Sequence, residues 1–394
     1  MKYAYWMTWI VLVYAVYGQS SVWVVDEEAV VKGNAQLDAY LPLLKCKRVG
    51  IVANACSKIG DIHLVDTLLK HRIHITRIFS PEHGFRGNVD AGKKVYDSVD
   101  IKTGIPIVSL YGEYKAPKES DLQEVDVVLF DLQDVGVRFY TYISTLYYVL
   151  KSCALYHKPL VVLDRPNPNG FYVDGPVLDT NFRSFVGIVP VPVVYGMTIG
   201  ELAIMMNTEP LYKPTSKSAE LTVIPLKNYT HRMLIKMRSV PSPNLSSWQS
   251  VLLYPSLGLF EGTVVSVGRG TDKPFQILGH PQYPFKKFCF TPQSNRISKH
   301  PKYEGIRCCG IDLSEDSYLK NHPQKINLQW LIHFYKTLRV KNFFDKNFDY
   351  HSGHAQLRKD IMDGLDEEAI RKKWEKEVEK FKEIRRKYLL YAEG

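Results

Sequence analysis

Nearly continuous apolar segments alternate with helical patterns through the first half of the chain, and this alternation limits the fold more than any other feature. The segment Val125-Asp126-Val127-Val128-Leu129-Phe130 is typical, because strands buried on both faces of a sheet carry apolar residues at almost every position. We predict strands at Arg48–Ala53, Ile75–Phe79, Ile105–Leu110, Val125–Leu132 and Pro159–Leu163. We predict helices at Leu37–Leu44, His63–Lys70, Tyr140–Ser152 and Ile199–Met206, with Thr198 as the cap of the last. The pattern indicates an α/β fold with a Rossmann-like parallel sheet.

Length and composition indicate a folded protein with more than one domain. The chain has 394 residues, of which 45% are hydrophobic and 23% charged. Near residue 207 the pattern changes to short strands and loops, so we predict domains at 19–206 and 207–394. A helix packed on its own domain is predicted near the C-terminus from apolar residues spaced by three and four, namely Ile370, Trp374, Val378, Phe381 and Ile384.

The N-terminus has the features of a secretory signal. Lys2 precedes an apolar segment from Tyr3 to Tyr17, which is short for a membrane span, and small residues precede Gln19. We therefore expect a signal peptide at 1–18 and a secreted or extracytoplasmic protein, with an uncleaved anchor as the alternative. An oxidising compartment would permit up to three disulfides among the six cysteines.

Charge and motif content argue against several classes of partner. The formal net charge is +10, but much of it is dispersed or interleaved with acidic residues in the tail Arg371–Lys387. A solvated helix face is the favoured interpretation, and weak attraction to an anionic wall polymer is the alternative. We predict no nucleic-acid partner. No GxGxxG follows the first strand and no Cys/His spacing indicates zinc, so we predict no cofactor and no metal.

Polar residues stand where the predicted strands end. Asn54 follows the first strand and Glu82 follows the second, while Asp131 and Asp164 lie at the ends of later strands. Because an open parallel sheet presents these ends along one edge, we expect the side chains to meet in one polar crevice. That crevice is the predicted active site.

Glu82 is the strongest catalytic candidate. It lies in the constrained loop Ser80-Pro81-Glu82-His83-Gly84, which Arg86 closely follows. A partly desolvated glutamic acid has a raised pKa and can donate a proton to a leaving oxygen. The same carboxylate can equally cap the next helix or pair with Arg86.

Asp131 and Asp134 offer further carboxylates, with Arg138 nearby. Paired carboxylates can act as base or nucleophile, or can bind sugar hydroxyls. Asp134 is well placed to cap the helix that begins near Tyr140. We therefore predict Asp131 as the second catalytic carboxylate.

Other polar groups suit ligand binding. In Asp164-Arg165-Pro166-Asn167-Pro168 the prolines hold the chain extended, and Arg165 and Asn167 can bind an anionic or amide-bearing ligand or form a structural turn. In the second half, polar residues concentrate between glycines, at Asn244, Glu261, Arg269 and Asp272. The guanidinium of Arg269 presents a fork that fits a carboxylate.

These motifs together resemble the NamZ-type exo-β-N-acetylmuramidase family. The resemblance covers nearly all of the chain after the signal and rests on Phe79–Gly87, Ser109–Gly112, Phe130–Tyr142, Leu163–Pro168, Phe260–Thr263, Gly268–Asp272 and Tyr388–Tyr391. The chain departs from the family pattern at Ala55-Cys56, where Gln-Thr is usual, at Tyr195, where His is usual, and at Gly258, where Cys is common. These departures motivate an alternative function, a non-catalytic protein that binds muropeptides or amino sugars.

The resemblance implies a Rossmann-like N-terminal domain joined to a smaller α/β C-terminal domain, with the active site between them. It implies hydrolysis that removes a non-reducing terminal β-linked N-acetylmuramic acid from peptidoglycan-derived muropeptides or disaccharides. Glu82 is then the leading catalytic residue, with Asp131 as its predicted partner. The predicted substrate-binding residues are Asn54, His83, Arg86, Asp134, Arg138, Asp164, Arg165, Asn167, Asn244, Glu261, Arg269 and Asp272.

Overall fold

A seven-stranded sheet forms the centre of the protein. The structure is a computed structural model that describes residues 22–82, 84–86, 98–315 and 324–393. The strands of this sheet are β2 (Arg48–Ala53), β5 (His74–Ser80), β6 (Ser98–Val99), β7 (Pro106–Ser109), β8 (Val127–Asp131), β9 (Leu160–Leu163) and β10 (Leu221–Ile224). Their order is β10-β9-β8-β2-β5-β7-β6, and every neighbouring pair is parallel except β6 with β7. The predicted α/β fold with a parallel sheet is confirmed.

Both faces of this sheet are apolar, which explains the nearly continuous apolar strands. On β8, Val127 and Leu129 belong to one buried cluster, whereas Val128 and Phe130 belong to the other. Successive side chains of a strand point to opposite faces, so a strand covered on both sides needs apolar residues at odd and even positions alike.

Helices cover the sheet and complete the second half of the chain. They are α1 (Leu37–Leu44), α2 (Leu64–Lys70), α3 (Glu119–Leu122), α4 (Tyr142–Leu155), α5 (Ile199–Thr208), α6 (Trp248–Leu257), α7 (Gln329–Leu338), α8 (Phe348–Ser352), α9 (Ala355–Met362) and α10 (Glu367–Arg385). The predicted cap of α5 is present: the Thr198 hydroxyl accepts from the backbone N–H of Glu201, whose carboxylate accepts from the N–H of Thr198. On α10, the predicted apolar residues Ile370, Trp374, Val378 and Phe381 are buried.

Smaller sheets complete the fold. They contain β1 (Trp23–Asp26) with β11 (Met233–Lys236), β3 (Lys58–Ile59) with β4 (Ile62–His63), and β12 (Ile277–His280), β13 (Cys289–Phe290) and β14 (Cys308–Asp312). A disulfide joins Cys289 to Cys309 across β13 and β14. The predicted division after residue 206 assigns β10 to the second domain, whereas in the structure β10 extends the first sheet.

The described residues contain no helix that is long and apolar enough to cross a membrane.

Candidate active site

A cavity of about 580 Å³ lies beyond the carboxyl ends of the parallel strands. Glu82 stands two residues after β5 and Tyr111 two residues after β7, while the segment Phe139–Tyr142 follows β8. The other wall comes from the second half of the chain, with Tyr254, Glu261, Arg269, Phe275, Ile297, Lys299, His300 and His351 among its residues. The crevice expected at this edge of the sheet is thus closed by residues that lie more than 100 positions after Tyr142 in the sequence.

Glu82 is half-buried and faces this cavity. Its Oε2 accepts a hydrogen bond of 2.9 Å from the Thr141 hydroxyl, and its carboxylate also accepts from the Tyr111 hydroxyl. Burial, together with the neighbouring carboxyl group of Glu82, raises the pKa of Tyr111, so this phenol remains a hydrogen-bond donor. Two hydroxyl donors therefore fix the orientation of the carboxyl group.

A second carboxyl group in the cavity belongs to Glu261. Its Oε1 accepts hydrogen bonds from Arg269 at 2.6 Å and 3.1 Å, and the guanidinium lies 5.0 Å from the centroid of the Phe275 ring. Burial by itself would raise the pKa of Glu261, but the positive charge of Arg269 and its hydrogen bonds to Glu261 outweigh burial and lower this pKa. Glu261 is therefore ionised at neutral pH. The sequence predicted both residues as separate substrate contacts, and the structure brings them together.

Asp131 lies outside the residues that line the cavity. Its oxygens each accept a 2.7 Å hydrogen bond from Arg165, and Asn34 donates to it at 3.2 Å. The side chains of Asp131 and Arg165 are 0% and 1% exposed, so a substrate in the cavity cannot contact either of them. The predicted catalytic role of Asp131 gains no support from this position, because β9 lies next to β8 and brings Arg165 directly onto the carboxylate.

Arg138 has a structural role, because it connects distant segments of the backbone. Its guanidinium donates to the backbone carbonyls of Pro176, Val191 and Ser352 at 2.5–2.7 Å, and to that of His351 at 3.2 Å. The side chain is fully buried, and burial lowers its pKa to about 9. Among the predicted substrate-binding arginines, Arg269 lines the cavity, whereas Arg138 and Arg165 do not.

Three further predicted contacts are buried and support loops instead of lining the cavity. Asp164 accepts from the Thr198 hydroxyl at 2.8 Å and the Gly200 N–H at 2.7 Å. Asn167 donates to the Met197 carbonyl at 2.7 Å. Asp134 accepts from the Gly136 N–H at 2.7 Å and from the Tyr195 hydroxyl. Apart from the contact with Gly136, these bonds connect the loops after β8 and β9 to residues 195–200.

The remaining predicted contacts divide in the same way. Asn54 donates at 2.7 Å to the hydroxyl of Tyr142, whose side chain lines the cavity. Asn244 lines the cavity, is 3% exposed, and its amide nitrogen has no hydrogen-bond partner among the described residues. Arg86 makes two 2.8 Å hydrogen bonds to Asp100, and Asp272 is exposed and does not line the cavity. His83 lies outside the described residues.

Aromatic and histidine side chains are the main part of the cavity that sequence reasoning missed. The rings of Phe139, Tyr140, Tyr254 and Phe275 pack edge to face and line it. The run Phe139-Tyr140-Thr141-Tyr142 after a predicted strand was an available signal, because aromatic faces offer apolar contact beside polar groups. Tyr254 and His351 carry no such signal, since only the tertiary fold brings them to the strand ends.

The buried carboxyl groups predict a pH dependence of stability. Burial raises the pKa of both Asp134 and Asp164 to about 6, so the folded protein holds these protons more tightly than the unfolded chain does. Their contribution to the free energy of unfolding is therefore complete below about pH 4 and is lost as the pH rises through about 6. We expect the free energy of unfolding, measured in urea at a series of pH values, to decline less between about pH 4 and 6 for Asp134→Asn than for the unsubstituted protein. Identical declines would contradict the assignment.

No group of three or more His, Cys, Asp or Glu side chains that could hold a metal ion is found in the part of the chain that the structure describes.

Comparison with known proteins identifies the family. The N-terminal model of exo-β-N-acetylmuramidase NamZ matches residues 49–249, and the C-terminal model of the same family matches residues 252–391. The chain belongs to the NamZ exo-β-N-acetylmuramidase family. The family models divide the chain between residues 249 and 252, close to the start of α6.

Relatives of this NamZ-family chain match over most of its length. The protein named peptidoglycan β-N-acetylmuramidase NamZ from Bacillus subtilis (strain 168) is 37% identical over 381 residues, covering 90% of this chain and 89% of that protein. A crystal structure of a DUF1343 family protein from Bacteroides fragilis has a TM-score of 0.85 and 43% identity, covering 93% of this chain and 99% of the other. A second DUF1343 structure from that organism has a TM-score of 0.77 and 27% identity, covering 92% and 99%.

Proposed function

We propose that this protein is a secreted glycosidase that removes β-linked N-acetylmuramic acid from the non-reducing end of peptidoglycan fragments. The observation that carries the proposal is Glu82, which two hydroxyl groups orient toward a cavity in a chain of the NamZ family. The cavity volume of about 580 Å³ suits a small ligand such as a terminal sugar.

Two carboxyl groups in different surroundings match the needs of glycoside hydrolysis. Glu82 donates the proton to the glycosidic oxygen, which allows the aglycone to leave as a neutral alcohol. Glu261 is ionised beside Arg269, so it supplies the negative charge that an oxocarbenium-like transition state requires, or accepts a proton from attacking water. We propose Glu261 for this second role in place of Asp131, because Asp131 is sealed in its ion pair with Arg165.

Arg269 also suits the lactyl carboxylate that distinguishes muramic acid from glucosamine. An arginine has five N–H donors, and the contacts with Glu261 use its Nε and Nη2 atoms. The N–H groups that remain can bind a second carboxylate at the cavity wall.

Secretion rests on the signal-like N-terminus, which lies outside the described residues, and on the disulfide between Cys289 and Cys309. Disulfides persist mainly in oxidising compartments, so this bond supports export. Intact mass measurement of protein from the culture medium should give a chain that begins at Gln19. A full-length chain recovered only with membranes would favour the uncleaved anchor.

Activity is tested with a chromogenic β-N-acetylmuramic acid glycoside and the matching N-acetylglucosaminide. We expect turnover of the muramic substrate alone, because the glucosaminide lacks the lactyl carboxylate. Binding of muramyl fragments without turnover would favour the non-catalytic binding protein. Turnover of only the glycoside of another acidic amino sugar would show that the natural substrate is that sugar and not N-acetylmuramic acid.

A further inference from the structure

An exposed cationic segment adjoins the active-site cavity. This cationic lobe comprises residues 285–307 and carries six basic residues against one acidic residue, Glu304. Lys286, Lys287, Arg296, Lys299 and Arg307 are exposed, and none of them forms an ion pair with a carboxylate that the structure describes. Lys302 differs, because its ammonium donates to the carbonyl of Thr263.

The cationic lobe is held firmly against the catalytic part of the cavity. The disulfide joins Cys289, near the start of the lobe, to Cys309, two residues beyond its end. The Tyr303 hydroxyl donates to the Val264 carbonyl at 2.7 Å, and the Gln293 N–H donates to the Gly270 carbonyl at 2.9 Å, next to Arg269. The backbone that carries the positive charges therefore has a defined position beside the cavity.

The tip of the cationic lobe forms part of the cavity wall. Ile297, Ser298, Lys299 and His300 line it, and Arg296 precedes them directly. Some basic residues elsewhere are neutralised locally, as on α10, where Lys372 and Lys382 lie 3.5 Å and 2.7 Å from glutamates of the same helix. Unneutralised charge at a cavity wall raises the local concentration of anionic ligands.

We propose that the cationic lobe binds carboxylates on the part of the glycan beyond the cleaved bond. The inference rests on the proposed function, in which the cavity holds only the terminal sugar and the remaining strand must extend past the cavity wall. Further muramyl residues on that strand carry carboxylates, free or within a peptide, and arginine and lysine side chains bind such groups. The lobe would thus select long acidic fragments over neutral ones.

The test compares two oligosaccharides that end in the same N-acetylmuramic acid. One has a further muramyl residue with a free carboxylate, and the other has that distal carboxylate converted to a neutral amide. We expect the unsubstituted protein to have a KM about 3- to 10-fold lower for the acidic oligosaccharide, a range consistent with a few exposed ion pairs. The preference should shrink at high salt, because exposed charges are screened.

The double variant Arg296→Gln/Lys299→Gln should lose this preference. The matched control is Lys372→Gln/Lys376→Gln, which removes the same charge from the exposed face of α10 and should keep the preference. Equal KM values of the unsubstituted protein for the two oligosaccharides, or a preference that survives in Arg296→Gln/Lys299→Gln, would overturn the proposal.

Binding measurements separate this proposal from the proposed activity. Calorimetry with the Glu82→Gln variant compares the two oligosaccharides without turnover, and we expect tighter binding of the acidic one, lost in the combination with Arg296→Gln/Lys299→Gln. If the protein turns over no muramic glycoside but binds the acidic oligosaccharide more tightly, the proposed activity is refuted and the role of the cationic lobe is kept. Salt-sensitive binding of an anionic wall polymer that lacks muramic acid, with no preference between the oligosaccharides, would refute the lobe's assignment.

Discussion

Replacing Glu82 with Gln is expected to lower kcat on a disaccharide with terminal β-linked N-acetylmuramic acid by about 10²- to 10⁴-fold, the usual contribution of general acid–base catalysis. Glutamine retains the size of the side chain, and its amide oxygen can still accept a hydrogen bond from the Thr141 hydroxyl. It cannot donate an acidic proton to the glycosidic oxygen. Release of N-acetylmuramic acid, measured over time by chromatography, gives the rate.

The leaving group distinguishes an acid from a residue that only positions the substrate. A sugar leaves poorly without protonation, whereas a nitrophenolate leaves readily as an anion. We therefore expect Glu82→Gln to lose much less activity on the nitrophenyl glycoside than on the disaccharide. Equal losses on both substrates would indicate that Glu82 serves another role, and full activity on the disaccharide would remove it from the mechanism.

Thr141→Val provides the matched control at the same site. It removes the hydroxyl that donates a 2.9 Å hydrogen bond to Glu82, while the carboxyl group stays in place. We expect a loss of about tenfold or less, in line with one hydrogen bond. The unfolding midpoint of Glu82→Gln should match that of the unsubstituted protein, because Glu82 is only half-buried.

Replacing Asp131 with Ala is expected to lower the free energy of unfolding by about 3–5 kcal/mol, because the buried guanidinium of Arg165 then has no counter-charge. Urea unfolding at neutral pH measures the loss. The double variant Asp131→Leu/Arg165→Met should be less destabilised than Asp131→Ala, since it leaves no unpaired charge in the interior. Equal stability of Asp131→Ala and the unsubstituted protein would contradict the burial of this pair.

An exposed ion pair at the same sheet supplies the comparison. Arg48 and Asp126 also make a two-pronged contact, but their side chains are 42% and 38% exposed. Asp126→Ala should therefore destabilise the protein far less than Asp131→Ala.

Activity of folded Asp131→Asn protein separates the structural role from the catalytic one. If Asp131 were catalytic, Asp131→Asn would lower kcat as severely as Glu82→Gln does, even under conditions in which the variant is fully folded. We expect the folded variant to keep most of its kcat, because the cavity walls contain Glu82 and Glu261 but not Asp131. A loss comparable with that of Glu82→Gln would restore Asp131 as the second carboxylate.

The strands, the helices and the cap of α5 were predictable because local sequence determines them. The observed bounds of β2 and α1 are those predicted, and each other element with predicted bounds differs by one to three residues at one or both ends. Apolar runs report burial on both faces of the sheet, and Thr198 with Glu201 forms a cap from residues three positions apart.

The sequence by itself determined the parallel sheet, the family, and the presence of Glu82 in a loop at a strand end. Only the tertiary structure decided which polar residues face the cavity, because a side chain at a strand end can point outward or into the interior. Its direction depends on partners far along the chain: Asp131 turns to Arg165, 34 residues away, Glu82 meets Thr141 at a separation of 59, and Arg138 holds Ser352 at a separation of 214. Such contacts leave no periodic trace in a sequence, since each arises from the packing of elements that the chain brings together only on folding.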